Sequence, residues 1–156
     1  MIKDAAGRYI DNIDTDMIFH NSHLHIVEIS QMGKFAFGNL EGYKDFPLKV
    51  KKGDVVVVGS NFGSGSSRQQ AVDCFSALGV SAIIAKSYGA IYKRNAINSG
   101  LPIMTCPDLD GIKFEPGLAV ELDLQTGSIK TKDGEIGKAE PLSSVQMDIY
   151  QAGSIF

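Results

Sequence analysis

The sequence predicts an α/β fold built on a parallel sheet, and three observations carry that expectation. Val55 to Val58 form an apolar, β-branched run of strand length. Strand-like and helix-like segments then alternate: strand Val55–Val58, helix Ser67–Leu78, strand Ser81–Ala85, helix Ala90–Ser99, strand Ile103–Thr105. Gly79 and Gly100 stand just past the two helices, where a left-handed residue closes the last turn. Alternation at this spacing implies parallel pairing with right-handed crossovers. Ligands then belong at the carboxyl ends of the strands.

The flanking segments are less regular. The stretch through Ile18 reads as a short strand and an acidic loop. From Phe19 to Leu48 come a polar, histidine-rich loop, a helix-like Val27–Phe37 and a connection over Gly38–Pro47. Val120–Leu124 and Ser128–Thr131 alternate with period two around Gln125-Thr126-Gly127, which predicts a hairpin. Lys132–Glu135 reads as another turn and Ser143–Ala152 as a terminal helix. No repeat, linker or low-complexity tract divides the chain, and 156 residues with 44% hydrophobic content suit a single domain, 1–156, around one good core.

Composition excludes several roles. A net charge of −3 without a basic block argues against a general nucleic-acid or membrane-surface protein. The apolar runs fall well short of the roughly 20 residues that span a bilayer. The N-terminus lacks the apolar core of a secretory signal, so a cytoplasmic location is expected. Cys74 and Cys106 lie far apart and form no C-x-x-C unit. Two such cysteines do not hold a structural zinc or an iron–sulfur cluster alone, so no cofactor is expected on this chain. Cys74, in an apolar run, reads as a small buried hydrophobe.

The chemistry concentrates in Gly59-Ser-Asn-Phe-Gly-Ser-Gly-Ser-Ser-Arg68, between the valine strand and the next helix. Unpaired N–H groups and the positive dipole end at a helix start attract anions. Gly63 and Gly65 allow positive φ and close backbone approach to a ligand. Ser66, Ser67 and Arg68 add two hydroxyls and a fixed cation, while Asn61 and Ser64 supply further polar contacts. A carboxylate or phosphate fits such a loop. The lysine of a phosphate-binding P-loop is missing, and Arg68 occupies the third glycine position of a dinucleotide fingerprint. A serine-hydrolase elbow requires a later histidine, and none follows His25.

Upstream, Asp11, Asp14 and Asp16 crowd one loop without calcium-loop spacing and read singly as turn and cap residues. His20, His23 and His25 form H-x-x-H-x-H, but no carboxylate or cysteine completes a metal set at usual spacing. Their place directly after the acidic loop points to substrate contact instead. Lys93 and Arg94 are candidates for a basic pocket, although Arg94-Asn95 inside a helix before Gly100 more often serves structure, pairing with C-terminal carbonyls.

The Gly59–Arg68 string, followed by Ala82-Ile-Ile-Ala-Lys-Ser-Tyr-Gly-Ala-Ile-Tyr-Lys-Arg-Asn-Ala-Ile-Asn-Ser-Gly-Leu-Pro102, resembles the swivel domain of the aconitase superfamily. The resemblance spans Asp11 to about Thr105, and the length matches separately encoded small subunits of the 3-isopropylmalate dehydratase and homoaconitase type. It implies a three-layer β/β/α swivelling domain and a large-subunit partner that carries a [4Fe–4S] cluster. The implied reaction is reversible dehydration of a hydroxy-di- or tricarboxylate, with a cluster iron as Lewis acid on the departing hydroxyl. By motif, Ser66 matches the serine whose alkoxide takes the proton α to a carboxylate. Arg68 matches the substrate-binding arginine, Ser67 its neighbouring hydroxyl, and Asp16 an active-site aspartate. Bidentate carboxylate binding explains arginine rather than lysine at 68.

Two departures from the family pattern stand out. Where 3-isopropylmalate dehydratases usually carry Pro-x-Arg-Tyr-Leu in the loop that meets the variable substrate group, this chain has His20-Asn-Ser-His-Leu-His25. His23, Leu24 and His25 become the candidate specificity contacts: a histidine for an extra carboxylate, the leucine for an alkyl group. Gln69-Gln70 also replaces the commoner Glu-His or Glu-Ser. Isopropylmalate-type isomerisation leads; homoaconitase or 2,3-dimethylmalate dehydratase activity, and a non-catalytic anion-binding module, stay open.

Overall fold

The computed structural model describes residues 1–153. A short helix, α1 (Thr15–Ile18), follows the N-terminal segment, and α2 (Phe46–Lys49) precedes the first strand. Then come β1 (Val55–Val58), α3 (Gln70–Ala77), β2 (Ala82–Ala85), α4 (Ala90–Asn98) and β3 (Ile103–Thr105). The last part holds β4 (Glu121–Leu122), β5 (Ser128–Thr131), β6 (Gly134–Lys138) and α5 (Ser144–Ala152). Strands β1, β2 and β3 pair in that order and in parallel, with Val57 opposite Ile84 and Ile84 opposite Met104. Strands β4, β5 and β6 form a separate antiparallel sheet.

Side-chain alternation along the parallel strands builds the layers. Val56, Val58, Ile83, Ala85 and Ile103 face a core completed by Ala71, Val72, Cys74 and Phe75 of α3 and by Tyr92 and Ala96 of α4. Val57, Ile84 and Met104 face the other way, onto Ile129 of β5, with Leu122 and Ile136 packed alongside. Helices, parallel sheet and antiparallel sheet therefore stack in the β/β/α order. A strand buried on both faces must be apolar throughout, which is why β1 and β2 read as unbroken apolar runs.

Both expected helix ends are present. Gly79 and Gly100 take φ of 76° and 78°. In each case the glycine N–H and the next N–H return to the last turn: Gly79 to Ser76 O and Val80 to Phe75 O, Gly100 to Ile97 O and Leu101 to Ala96 O. These are Schellman closures with an apolar residue following the glycine. Ser143 caps α5 through a reciprocal bond with Gln146.

Four expectations need correction. Val27–Phe37 is not a helix but two 3₁₀ turns, Ile29–Gln31 and Gly33–Phe35. Gly33 interrupts any helix there, and its bare Cα lies so close to Leu78 that a Cβ would sit 3.0 Å from that side chain. Helix α3 begins at Gln70, not Ser67. A helix starting at Ser67 needs the Ser66 carbonyl for its first turn, and that carbonyl instead accepts from the buried Thr15 hydroxyl at 2.9 Å. The N-terminal strand is reduced to a Lys3–Tyr9 bridge, tied to β1 by Ile2 N–H donating to Val57 O. Finally, the Lys132–Glu135 turn is confined to Lys132 and Asp133, and Gly134–Lys138 pairs as β6, tolerating Gly137 because Ile112 fills the place of its missing side chain.

Candidate functional site

The loop after β1 is fixed from below by Phe62, 1% exposed, whose ring meets Tyr92 edge-on at 5.3 Å and Tyr88 at 6.3 Å. Gly63 (φ 77°) lies flat against Tyr92, with no room for a Cβ between them. Gly63→Ala therefore combines a left-handed alanine with a core clash, and we expect it to lower unfolding free energy by about 2–5 kcal/mol. Denaturant titration measures this; an unchanged midpoint would show that Tyr92 yields without cost.

Residues 13–15 run alongside the loop. Gly63 N–H donates to Ile13 O at 2.8 Å, and Thr15 N–H donates to Ser64 O at 2.9 Å. Gly65, at φ 97°, faces Thr15 closely enough that a Cβ there would meet its Oγ1 at 3.5 Å. Ser66 and Ser67 emerge exposed. Among the described residues, no protein group accepts from the backbone N–H of Gly65, Ser66, Ser67 or Arg68. The loop thus presents a run of unpaired donors beside the exposed serine hydroxyls.

Arg68 is drawn across to α1. Its side chain is 12% exposed, and Nη1 donates to Asp16 Oδ1 at 3.1 Å and to Phe19 O at 2.7 Å. Asp16 is held on its other sides by Asn21 N–H at 3.0 Å and Asn39 Nδ2 at 3.1 Å, and His20 Nε2 lies 4.0 Å from Oδ2. The hydrogen bond from Arg68, joined by that from Asn21 N–H, holds the Asp16 carboxyl below the usual carboxylate range. The Asp16 carboxyl is therefore ionised at neutral pH. Among the described residues, no group accepts from Nη2 or Nε of Arg68, which leaves their N–H groups for a further anion.

The histidine loop lies beside this pair. His23 stacks on Phe35 at 4.0 Å, and desolvation lowers its pKa, helped by His20 and His25. At neutral pH it is an uncharged ring on an aromatic wall. Leu24 is 39% exposed, and its carbonyl accepts from Gln70 Nε2 at 3.2 Å, which ties the loop to the start of α3. His25 is exposed. Ser67 Oγ accepts from Asn95 Nδ2 at 3.3 Å. Ser64 contributes its carbonyl to Thr15, while the Asn61 side chain pairs with Asn12 at 3.1 Å and its N–H with Ser87 Oγ. Asp16, Arg68 and the adjoining serines thus come together; neither Asn61 nor His25 bonds to any of them.

Sequence reasoning missed Thr15, Asn39 and Asn95. Thr15 had one signal, a hydroxyl inside an otherwise acidic turn; the two asparagines had none, because their partners are remote in sequence. Cys74 and Cys106 are both buried, in different core clusters, and burial pushes both thiols up. Among the described residues, no group of three or more His, Cys, Asp or Glu side chains is placed to hold a metal. A recess of about 980 Å³ opens at the amino ends of the parallel strands, lined by Tyr43, Phe46, Phe114 and Leu122. The loop's unpaired donors lie at the opposite, carboxyl ends of those strands.

Comparison with known proteins places this geometry. The model of the aconitase C-terminal domain matches residues 6–108, a span that holds α1, the loop and the parallel sheet. The chain belongs to the aconitase C-terminal domain family. Among curated members, the 3-isopropylmalate dehydratase small subunit of Caldicellulosiruptor saccharolyticus is 45% identical over 99% of this chain and 88% of its own length. The isopropylmalate/citramalate isomerase small subunit of Methanocaldococcus jannaschii is 37% identical over 99% of this chain and 91% of its own. A crystal structure of 3-isopropylmalate dehydratase from the same archaeon superposes with a TM-score of 0.81 at 38% identity, covering 92% of this chain and 84% of that one. The aconitase-family assignment thus extends, through these relatives, over the antiparallel sheet and α5. Among the described residues no helix is long and apolar enough to cross a membrane.

Proposed function

We propose that this chain is the small subunit of a 3-isopropylmalate dehydratase, a hydro-lyase that works with a large subunit. The observation that carries the reading is the exposed Ser66 on its donor-rich loop, beside an Arg68 already oriented by Asp16, in a chain that aligns end to end with such subunits. The [4Fe–4S] cluster is assigned to the partner; Cys74 and Cys106, each enclosed in its own apolar cluster, do not fit as its ligands.

In this reading Ser66 Oγ, as alkoxide, removes the proton from the carbon α to a substrate carboxylate. The C–H electron pair becomes the new π bond, and hydroxide departs from the neighbouring carbon. Rehydration then adds hydroxide to the carbon that lost the proton, while the proton held on Ser66 Oγ passes to the carbon that lost hydroxide, so the hydroxyl ends on the other carbon. A serine hydroxyl is a poor base in water, so its anion needs aligned N–H dipoles in a site from which water is excluded. The unpaired amides from Gly65 to Arg68 supply those dipoles, and docking of the large subunit over the exposed loop supplies the dryness. Arg68, with one nitrogen committed to Asp16 and Phe19 O, offers Nη2 and Nε to the substrate carboxylate.

Neutral, stacked His23 and half-exposed Leu24 favour an alkyl side group over a third carboxylate. Anaerobic co-purification with the cognate large subunit and assay on isopropylmalate, citramalate, 2,3-dimethylmalate and homoaconitate tests both parts. The highest kcat/KM is expected on an alkyl-substituted malate. Preference for the tricarboxylate would overturn the substrate assignment, and no turnover of any would overturn the function.

A further inference from the structure

We infer that Thr15 is a positioning residue for the reaction, setting the direction of two amide dipoles beside Ser66; the inference rests on the function proposed above. Thr15 is 3% exposed, yet both of its hydrogen-bonding donors are spent on the loop. Its N–H reaches Ser64 O at 2.9 Å, and its Oγ1 reaches Ser66 O at 2.9 Å. In a trans peptide the carbonyl and the following N–H point to opposite sides of the chain. Drawing the Ser64 and Ser66 carbonyls onto Thr15 therefore turns the Gly65 and Ser67 N–H groups away from α1. Gly65, Ser66 and Ser67 are all exposed.

One threonine thus aligns two donors that flank the base in sequence. Gly65 makes this possible through its backbone, since φ 97° is a conformation that side-chain-bearing residues rarely adopt. The next residue of α1, Asp16, holds Arg68. A four-residue helix consequently fixes backbone dipoles through one side chain and a guanidinium through the next. Without the Thr15 hydroxyl, the Ser66–Ser67 peptide is free to rotate, and the alkoxide loses an aligned donor.

Thr15→Val preserves shape and removes the donor; Thr15→Ser restores it. In the reconstituted complex, Thr15→Val is expected to lower kcat by about 10–100-fold with KM within about twofold. The rising limb of its kcat–pH profile should move to higher pH, because the serine becomes harder to deprotonate. Thr15→Ser should recover most of the rate and the original profile. In the full chain without its partner, the amide NMR resonances of Gly65 and Ser67 should shift in Thr15→Val and stay in place in Thr15→Ser. Should Thr15→Val fail to fold, Thr15→Ala serves as the second hydroxyl-free variant. Wild-type kcat and profile in the hydroxyl-free variants, Thr15→Ser as impaired as Thr15→Val, or unmoved resonances would each overturn the inference. A wild-type complex inactive on every hydroxy acid would instead sink the proposed function, while the resonances still decide the dipole orientation.

Discussion

Ser66→Ala is expected to reduce turnover by about 10²–10⁴-fold, the range spanned by a positioned proton-transfer group, while leaving the fold and binding to the large subunit intact. Both halves follow from the same geometry. The Ser66 side chain is exposed, so removing its oxygen opens no cavity in the core. Its backbone carbonyl, the part that anchors the loop through Thr15, survives the substitution. KM should change little, because the proposed mechanism gives the substrate carboxylate to Arg68 rather than to the base. Steady-state kinetics on the reconstituted pair, with size-exclusion chromatography to confirm assembly, measures both. Retention of wild-type kcat by a properly assembled Ser66→Ala complex would remove this serine from the chemistry.

Arg68→Lys should cost about 10²-fold in kcat/KM, with much of the loss in KM. Charge is conserved in this substitution, so the prediction isolates geometry. The guanidinium spends one nitrogen on Asp16 and the Phe19 carbonyl and keeps the N–H groups of Nη2 and Nε. An ammonium is a point donor and cannot satisfy both an internal clamp and a planar carboxylate. Its shorter reach also leaves the Phe19 carbonyl, in a buried residue, without its charged partner. Unaltered kcat/KM in the Arg68→Lys complex would mean that the positive charge alone matters at this position.

The central architecture was legible because it rests on local rules. Four valines in succession mark a strand buried on both faces, and Gly79 and Gly100 fall where only a left-handed residue closes the helices. The glycine–serine loop was legible for the same reason: positive φ at Gly63 and Gly65 is a backbone requirement written in residue type. What failed to show locally was decided by tertiary partners. The start of α3 was misplaced because the Ser66 carbonyl is claimed by Thr15, 51 positions earlier. The apolar spacing of Val27–Phe37 suggested a helix, but Gly33 yields its side-chain space to Leu78 and the segment breaks into tight turns. Asn39 gave no sign of its bond to Asp16, since an asparagine after a glycine reads as an ordinary turn residue.

The brevity of α1 has a consequence for how the molecule acquires competence. Four residues are far too few to be helical in isolation, where about 12–15 are already marginal. Its single turn is borrowed from contacts with a segment that a ribosome releases some fifty residues later. The acidic stretch therefore has nothing to hold its helical turn until residues 64–68 have been made and lie against it.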